Sequence, residues 1–183
     1  MSHVLVPLAQ GCEELEAITI TDLLVRAGVQ VTTCGLDDQP VKASRGTRII
    51  PDVSIDEVVD DNFDMIVLPG GLPGADHLRD DARVQAIIKR HAESGRYIGA
   101  ICAAPRALAS AGLLSGRKVT SDPGALDAVD DDSIELCDDA IVIDSNVITS
   151  RGPGTAMDFA LSLIELLEGR EKRDEVEAQL LRC

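Results

Sequence analysis

Aromatic side chains are scarce: Phe, Tyr and Trp together make up 2% of the chain, and Trp is absent. With 45% of residues hydrophobic, the interior has to be built from Val, Ile, Leu and Ala. That composition suits a parallel sheet covered by helices and argues against a β-sandwich. Positive charge is also in short supply, with 17 Lys and Arg against 32 Asp and Glu and a formal charge of −15. No basic cluster offsets the excess, so phosphate backbones and anionic lipid are repelled, and neither a nucleic-acid nor a membrane partner is expected.

The five cysteines, Cys12, Cys34, Cys102, Cys137 and Cys183, contain no C-x-x-C pair. An odd, unpaired set argues against a disulfide framework and a zinc site, leaving reduced thiols as the expectation. Asp130-Asp131-Asp132 lacks the spaced acceptors and glycine of a calcium loop, so no metal is expected. Gly70-Gly71-Leu72-Pro73-Gly74 does not have G-x-G-x-x-G spacing and no G-K-[ST] occurs, which removes the nucleotide fingerprints. Residues 1–7 have no basic region, and their apolar stretch is too short for a signal peptide or a membrane span; a cytoplasmic protein is expected. A length of 183 residues suits one domain over 1–183.

What is present is an alternation of short apolar strands and helical stretches. Val4-Leu5-Val6 leads to a helix over 13–27 stopped by Gly28, then to a strand at Val29-Gln30-Val31-Thr32-Thr33. Val41-Lys42-Ala43 and Arg48-Ile49-Ile50 read as a hairpin around Arg45-Gly46. Asp64-Met65-Ile66-Val67-Leu68 runs into the glycine-rich loop at 69–74, and a helix over 82–94 precedes the strand Tyr97-Ile98-Gly99-Ala100-Ile101. A helix over 104–110 follows. Lys118-Val119-Thr120, Ala140-Ile141-Val142-Ile143 and Val147-Ile148-Thr149 are further strands, the last two joined by a tight turn at Asp144-Ser145-Asn146. Helices over 155–167 and 171–181 close the chain. The alternation predicts a mostly parallel, doubly wound α/β sheet with its ligand site beyond the carboxyl ends of the strands.

Cys102 sits where the strand 97–101 gives way to the small-residue helix opening Ala103-Ala104-Pro105. A sharp strand-to-helix turn exposes its central residue at the sheet edge, and the positive helix end stabilises a thiolate there. The bland alternative is a core cysteine closing a buried strand. The backbone N–H groups of Gly71 and Ala103 are placed to flank negative charge developing on a carbonyl attacked by Cys102. None of the three histidines, His3, His77 and His91, adjoins Cys102 in sequence; His77, after the glycine loop, is the one with a route to the pocket. A carboxylate is the better partner. Glu13, Glu14 and Glu16 open the first helix, where acids suit the dipole. With Leu15 and Ile18 read as apolar contacts, a Glu16 carboxyl turned inward beside Cys102 acquires a raised pKa and donates a hydrogen bond to the thiolate.

Gly11-Cys12-Glu13-Glu14-Leu15-Glu16, Leu68-Pro69-Gly70-Gly71, Ala100-Ile101-Cys102-Ala103-Ala104-Pro105 and Thr149-Ser150-Arg151-Gly152-Pro153-Gly154-Thr155 together closely resemble the DJ-one (ThiJ/PfpI) superfamily. Within it they fit the parkinsonism-associated deglycase branch that includes the bacterial chaperone YajL. The resemblance implies a flavodoxin-like three-layer sandwich with a nucleophile elbow, a homodimer, and no cofactor. It implies Cys102 as an oxidation-prone nucleophile, Glu16 as its protonated partner, oxyanion donors at Gly71 and Ala103, and Gly70 as a substrate- or anion-binding position. Arg45 and Arg151 match positions lining an anion-binding pocket, a role suited to guanidinium groups. Two departures bear on chemistry. Val119-Thr120-Ser121-Asp122 stands where animal members carry His, so Asp122 opposes thiolate formation, and Ala103 stands where the protease-like branch has His. Peptidase and amidotransferase readings fall with those histidines. The expected activity is that of a glyoxalase or deglycase acting on methylglyoxal, glyoxal or glycated protein. The alternative is a redox-responsive chaperone or stress sensor working through oxidation of Cys102, with Cys12 as a candidate resolving thiol.

Overall fold

A computed structural model describes residues 1–182; Cys183 lies outside the described residues. The chain opens with β1 (His3–Leu8), α1 (Glu14–Arg26) and β2 (Gln30–Gly35), then a small hairpin of β3 (Val41–Lys42) and β4 (Arg48–Ile49). β5 (Val53–Ser54), α2 (Ile55–Val58), β6 (Met65–Leu68), α3 (Gly74–Asp80), α4 (Ala82–Glu93), β7 (Tyr97–Ile101) and α5 (Pro105–Ser110) follow. The remainder is β8 (Lys118–Val119), β9 (Glu135–Leu136), β10 (Ile141–Asp144), β11 (Val147–Ser150), α6 (Ala156–Glu168) and α7 (Arg170–Gln179).

Seven strands form the central sheet in the order β10-β11-β7-β6-β1-β2-β5. Every neighbouring pair is parallel except β10 with β11, the hairpin turning at Ser145. The chain winds outward from β1 through β2 to β5, then returns to the other side of β1 at β6. Strand order therefore reverses between β1 and β6, and a crevice opens beyond their carboxyl ends. The loops after β1, β6 and β7 all empty into it.

Side chains alternate across the strands, as the two-residue period requires. Val4, Val6, Leu8, Met65 and Val67 face α1, α6 and α7, burying Ile20, Leu24, Phe159, Leu163 and Val176. Leu5, Ile66, Leu68, Ile98 and Ala100 face α3, α4 and α5, burying Leu78, Val84, Ile87 and Leu108. The result is a flavodoxin-like helix–sheet–helix sandwich. α6 lies close enough to β7 that a Cβ on Gly99 would stand 3.2 Å from Phe159 Cζ.

Short elements depart from the sequence expectation. α3 precedes the anticipated helix and is separated from it by Asp81, whose extended backbone breaks the first helix. Its carboxylate caps the second by accepting from Arg83 N–H at 2.8 Å and Val84 N–H at 3.3 Å. β8 pairs with β9 in a separate two-stranded ribbon outside the main sheet. β5, α2 and β9 span only two to four residues, too few to display a period. Leu15 and Ile18 correct the expectation of apolar contacts: both are about half exposed on the outer face of α1.

Phe159 is fully buried between α6 and the strand that ends at the elbow. Phe159→Ala is expected to lower the unfolding free energy by about 3–5 kcal/mol in urea titration, with an unchanged m-value.

Candidate active site

β7 ends at Ile101 and the next residue, Cys102, has φ 62°, left-handed backbone that is strained for a side chain of this kind. Two hydrogen bonds hold it there. Cys102 N–H donates to the Ser150 carbonyl, and the Cys102 carbonyl accepts from Asp122 N–H, each at 2.9 Å. α5 then begins at Pro105, whose missing N–H is no loss in a first turn. The thiol is left partly exposed at the crevice.

The glycine loop after β6 explains itself sterically. A Cβ on Gly70 would lie 2.6 Å from Cys102 Cβ, 2.8 Å from the Ile101 oxygen and 2.9 Å from Glu16 Oε2. Gly71 has φ 85°, and a Cβ there would press on the backbone of Cys12 and Glu13. Glu13 N–H donates to the Gly70 carbonyl at 2.9 Å, tying the loop before α1 to the loop after β6. Three backbones therefore meet with no room for a side chain between them.

Glu16 is fully buried in this junction. Its Oε2 accepts from Gly70 N–H at 2.8 Å, while Oε1 has no hydrogen-bond partner among the described residues. Burial raises the carboxyl pKa to about 7, against the Gly70 N–H and the Cys102 thiol, with Glu13 and Asp122 adding to the rise. Cys102 is likewise pushed up to about 12, by burial first and then by the negative charge of Glu16; Gly71 N–H opposes and Asp122 reinforces. The expected thiolate stabilisation by the helix end does not prevail, because desolvation dominates. Two like charges in contact away from water cannot both persist. The pair accordingly carries at most one negative charge, and a proton placed on Glu16 would turn the main charge opposing the thiolate into a hydrogen-bond donor.

Around the thiol is a cavity of about 330 Å³ lined by Glu13, Arg45, Gly71, Leu72, Ala103, Asp122 and Pro153 among others. Arg45 reaches it from the β3–β4 hairpin, which Glu14 secures. Arg45 N–H donates to both Glu14 oxygens at 3.0 Å, Ser44 Oγ donates at 3.1 Å and Thr47 N–H at 3.3 Å. Although desolvation pulls the other way, these donors lower the Glu14 pKa to about 2. Arg151 is not in this cavity. Its Nη1 is held by Asp138, at 2.8 Å to the carboxylate and 3.1 Å to the carbonyl, in an adjoining depression that also includes Asp122.

The histidines lie elsewhere. His77 faces a depression with Gln10, Asp37 and Asp80; His3 Nε2 pairs with Thr32 Oγ1 at 2.8 Å; buried His91 pairs through Nδ1 with the Ile87 carbonyl at 3.0 Å. Cys12 is fully buried, and burial followed by the charge of Glu14 raises its pKa to about 12, so it is poorly suited to resolve an oxidised Cys102. Sequence reasoning set Glu16 apart from the other two glutamates, for which it saw only a helix-end role; the three in fact do three things. Glu13 caps α1 by accepting from Glu16 N–H at 2.9 Å, Glu14 fastens the hairpin, and Glu16 faces the thiol. The anchor at Ser150 had no sequence signal, since it acts through its backbone carbonyl.

Comparison with known proteins agrees with this architecture. The chain is 44% identical to protein dj-1beta of Drosophila melanogaster over 178 residues, covering 97% of this chain and 95% of that one. It is 41% identical to the glutathione-independent glyoxalase DJR-1.2 of Caenorhabditis elegans over 167 residues, 91% and 89% of the two chains. The crystal structure of Drosophila DJ-1beta superposes with a TM-score of 0.95 over the whole of both chains, and that of oxidised Toxoplasma gondii DJ-1, at 38% identity, with 0.94 over the same coverage. Among the described residues no helix is long and apolar enough to cross a membrane. The model of the DJ-1/PfpI family matches residues 2–166, and with these relatives it establishes that the chain belongs to the DJ-1/PfpI family.

Proposed function

We propose that this protein is a cofactor-independent glyoxalase that converts methylglyoxal or glyoxal to the corresponding hydroxy acid, with early glycation adducts on proteins as related substrates. The observation that carries the reading is the fully buried Glu16 carboxyl, its pKa raised to about 7, set beside the Cys102 side chain across Gly70. A carboxyl poised near neutrality can both give and take a proton during one turnover. The relative named as a glutathione-independent glyoxalase supports the same chemistry.

The steps follow from that pair. Cys102 Sγ attacks the aldehyde carbon, and protonated Glu16 supplies the proton that makes the addition a hemithioacetal. Gly71 N–H and Ala103 N–H flank the oxygen as it gains charge. Glu16, now ionised, takes the proton from the former aldehyde carbon and delivers it to the neighbouring carbon, while the hydroxyl proton passes from the first oxygen to the second, leaving a 2-hydroxy thioester on Cys102. Water then breaks the C–S bond, releasing the acid and restoring the thiol. One carbon is oxidised and its neighbour reduced, so the reaction needs no external redox partner. Arg45 at the mouth attracts electron-rich carbonyl oxygens, and Leu72 supplies an apolar wall for the methyl group.

Proton transfer by a positioned group contributes about 10²–10⁴-fold. Glu16→Gln is therefore expected to lower kcat for lactate formation from methylglyoxal by at least about 100-fold, followed by NMR, while Cys102→Ser forms none. Stoichiometric trapping without lactate turnover would instead favour the second reading, a redox sensor. That reading draws support from the similarity to a DJ-1 solved in oxidised form and from the Glu16 and Gly71 donors around the sulfur.

The proton on Glu16 has a thermodynamic signature. Folding raises its pKa from an ordinary 4.5 to about 7, so its stabilising contribution is complete below pH 4.5 and is lost as pH rises through about 7. Across that window the unfolding free energy of the wild type should fall by roughly 3 kcal/mol relative to Glu16→Gln. A pH-independent difference between the two proteins would contradict the assignment.

The half-exposed Leu15 and Ile18, one turn apart on α1, and exposed Leu72 beside the cavity support a homodimer in which a second copy covers this face. Leu15→Glu combined with Ile18→Glu should shift sedimentation velocity from dimer to monomer.

A further inference from the structure

A second cavity, of about 340 Å³, lies behind the elbow, between α5 and the segment after Asp122. Arg79 and Arg106 form its polar wall, Ser110 adds a hydroxyl, and Ala125, Ala128 and Val129 line the apolar side. The two guanidinium groups are not equally engaged. Arg79 is occupied by Asp80 through Nε and Nη2, at 2.7 and 2.9 Å, and by Asp76 through Nη1 at 3.0 Å. Arg106 is more deeply set, with 19% of its side chain exposed, yet its one hydrogen bond among the described residues runs from Nη1 to Asp76 Oδ1 at 2.7 Å. Its Nε is sealed from solvent without a partner.

With Nη1 on Asp76 and Nε sealed, Nη2 is the nitrogen left unspent and open, and it offers a carboxylate a charge-assisted hydrogen bond. Much of the dehydration that such binding requires has already been met by the fold, so the interaction is stronger than at an open surface. The carboxylate of Asp76 is shared between two cations at one oxygen and does not engage Nη2 of Arg106. Beyond the polar wall, small apolar side chains leave room for a short hydrocarbon body, in a volume at the lower end of the range for small-molecule pockets.

We infer that this cavity is a binding site for small amphipathic monocarboxylates, with the carboxylate on Arg106 and the hydrocarbon body against Ala125, Ala128 and Val129. The site is independent of the thiol chemistry. One wall belongs to the helix that leaves Cys102, and the other follows the residue whose N–H holds the Cys102 carbonyl, so an occupant would bridge the two segments that fix the elbow.

Titration of the full chain with hexanoate, followed by amide chemical shifts, tests the assignment, with hexanol as the uncharged control. Saturable shifts at Ala109, Ser110 and residues 125–129, absent with hexanol, are expected. Arg106→Gln should weaken hexanoate at least about tenfold. Ala128→Phe, which fills the cavity from its exposed rim and leaves Arg106 with Asp76, should weaken it likewise and keeps the test valid if Arg106→Gln fails to fold. No saturable binding, equal binding of hexanol, shifts centred on Arg45 and Cys102, or insensitivity to a folded variant would each overturn the inference.

Discussion

The approach of Gly70 to Cys102 and Glu16 is the constraint on which the rest of the site depends. Three loops from three different strands arrive at one point with no side chain between them, and the absent Cβ of Gly70 is what allows a carboxyl and a thiol to stand side by side. The hydrogen bond from Gly70 N–H to Glu16 then fixes the carboxyl against the loop. A methyl group at that position would collide with the nucleophile, the strand carbonyl and the acid together. Sheet, elbow and helix can each form without this contact, but their functional groups would not meet.

Strain and burial act in the same place for related reasons. The left-handed backbone of Cys102 is retained because Ser150 and Asp122 hold both of its peptide groups, and β11, which supplies Ser150, is itself locked into the sheet beside β7. Desolvation would by itself make the thiol inert. Its effect is turned to use by burying an acid alongside, since the two groups compete for a single proton. Asp122 adds negative charge at the edge of this pair and favours the protonated form of both groups.

Much of this was legible in the sequence because the signals were physical ones. The uninterrupted apolar strands, the Gly-Gly after β6 and the Cys followed by small residues and Pro each report a backbone requirement, and β7 was placed at its observed ends. Elements of two to four residues were not legible, since a period needs several residues to appear. Leu15 and Ile18 were misread for a different reason: apolar character does not say whether the partner is the chain's own core or something outside it. Arg151 was placed near the cysteine by motif, but its direction is set by Asp138, thirteen residues away, a pairing no local pattern reveals. The Arg106–Asp76 contact spans thirty residues and was invisible for the same reason.

Glu14 and Glu16 stand two positions apart in the first turn of one helix, with pKa values near 2 and 7. Their separation divides labour along the pH scale. Throughout the range in which Glu16 gains and loses its proton, Glu14 remains ionised and keeps the hairpin bearing Arg45 in its grip. In the proposed reaction, the acid can therefore change state while the entrance keeps its shape, so that acidity would regulate turnover without regulating access.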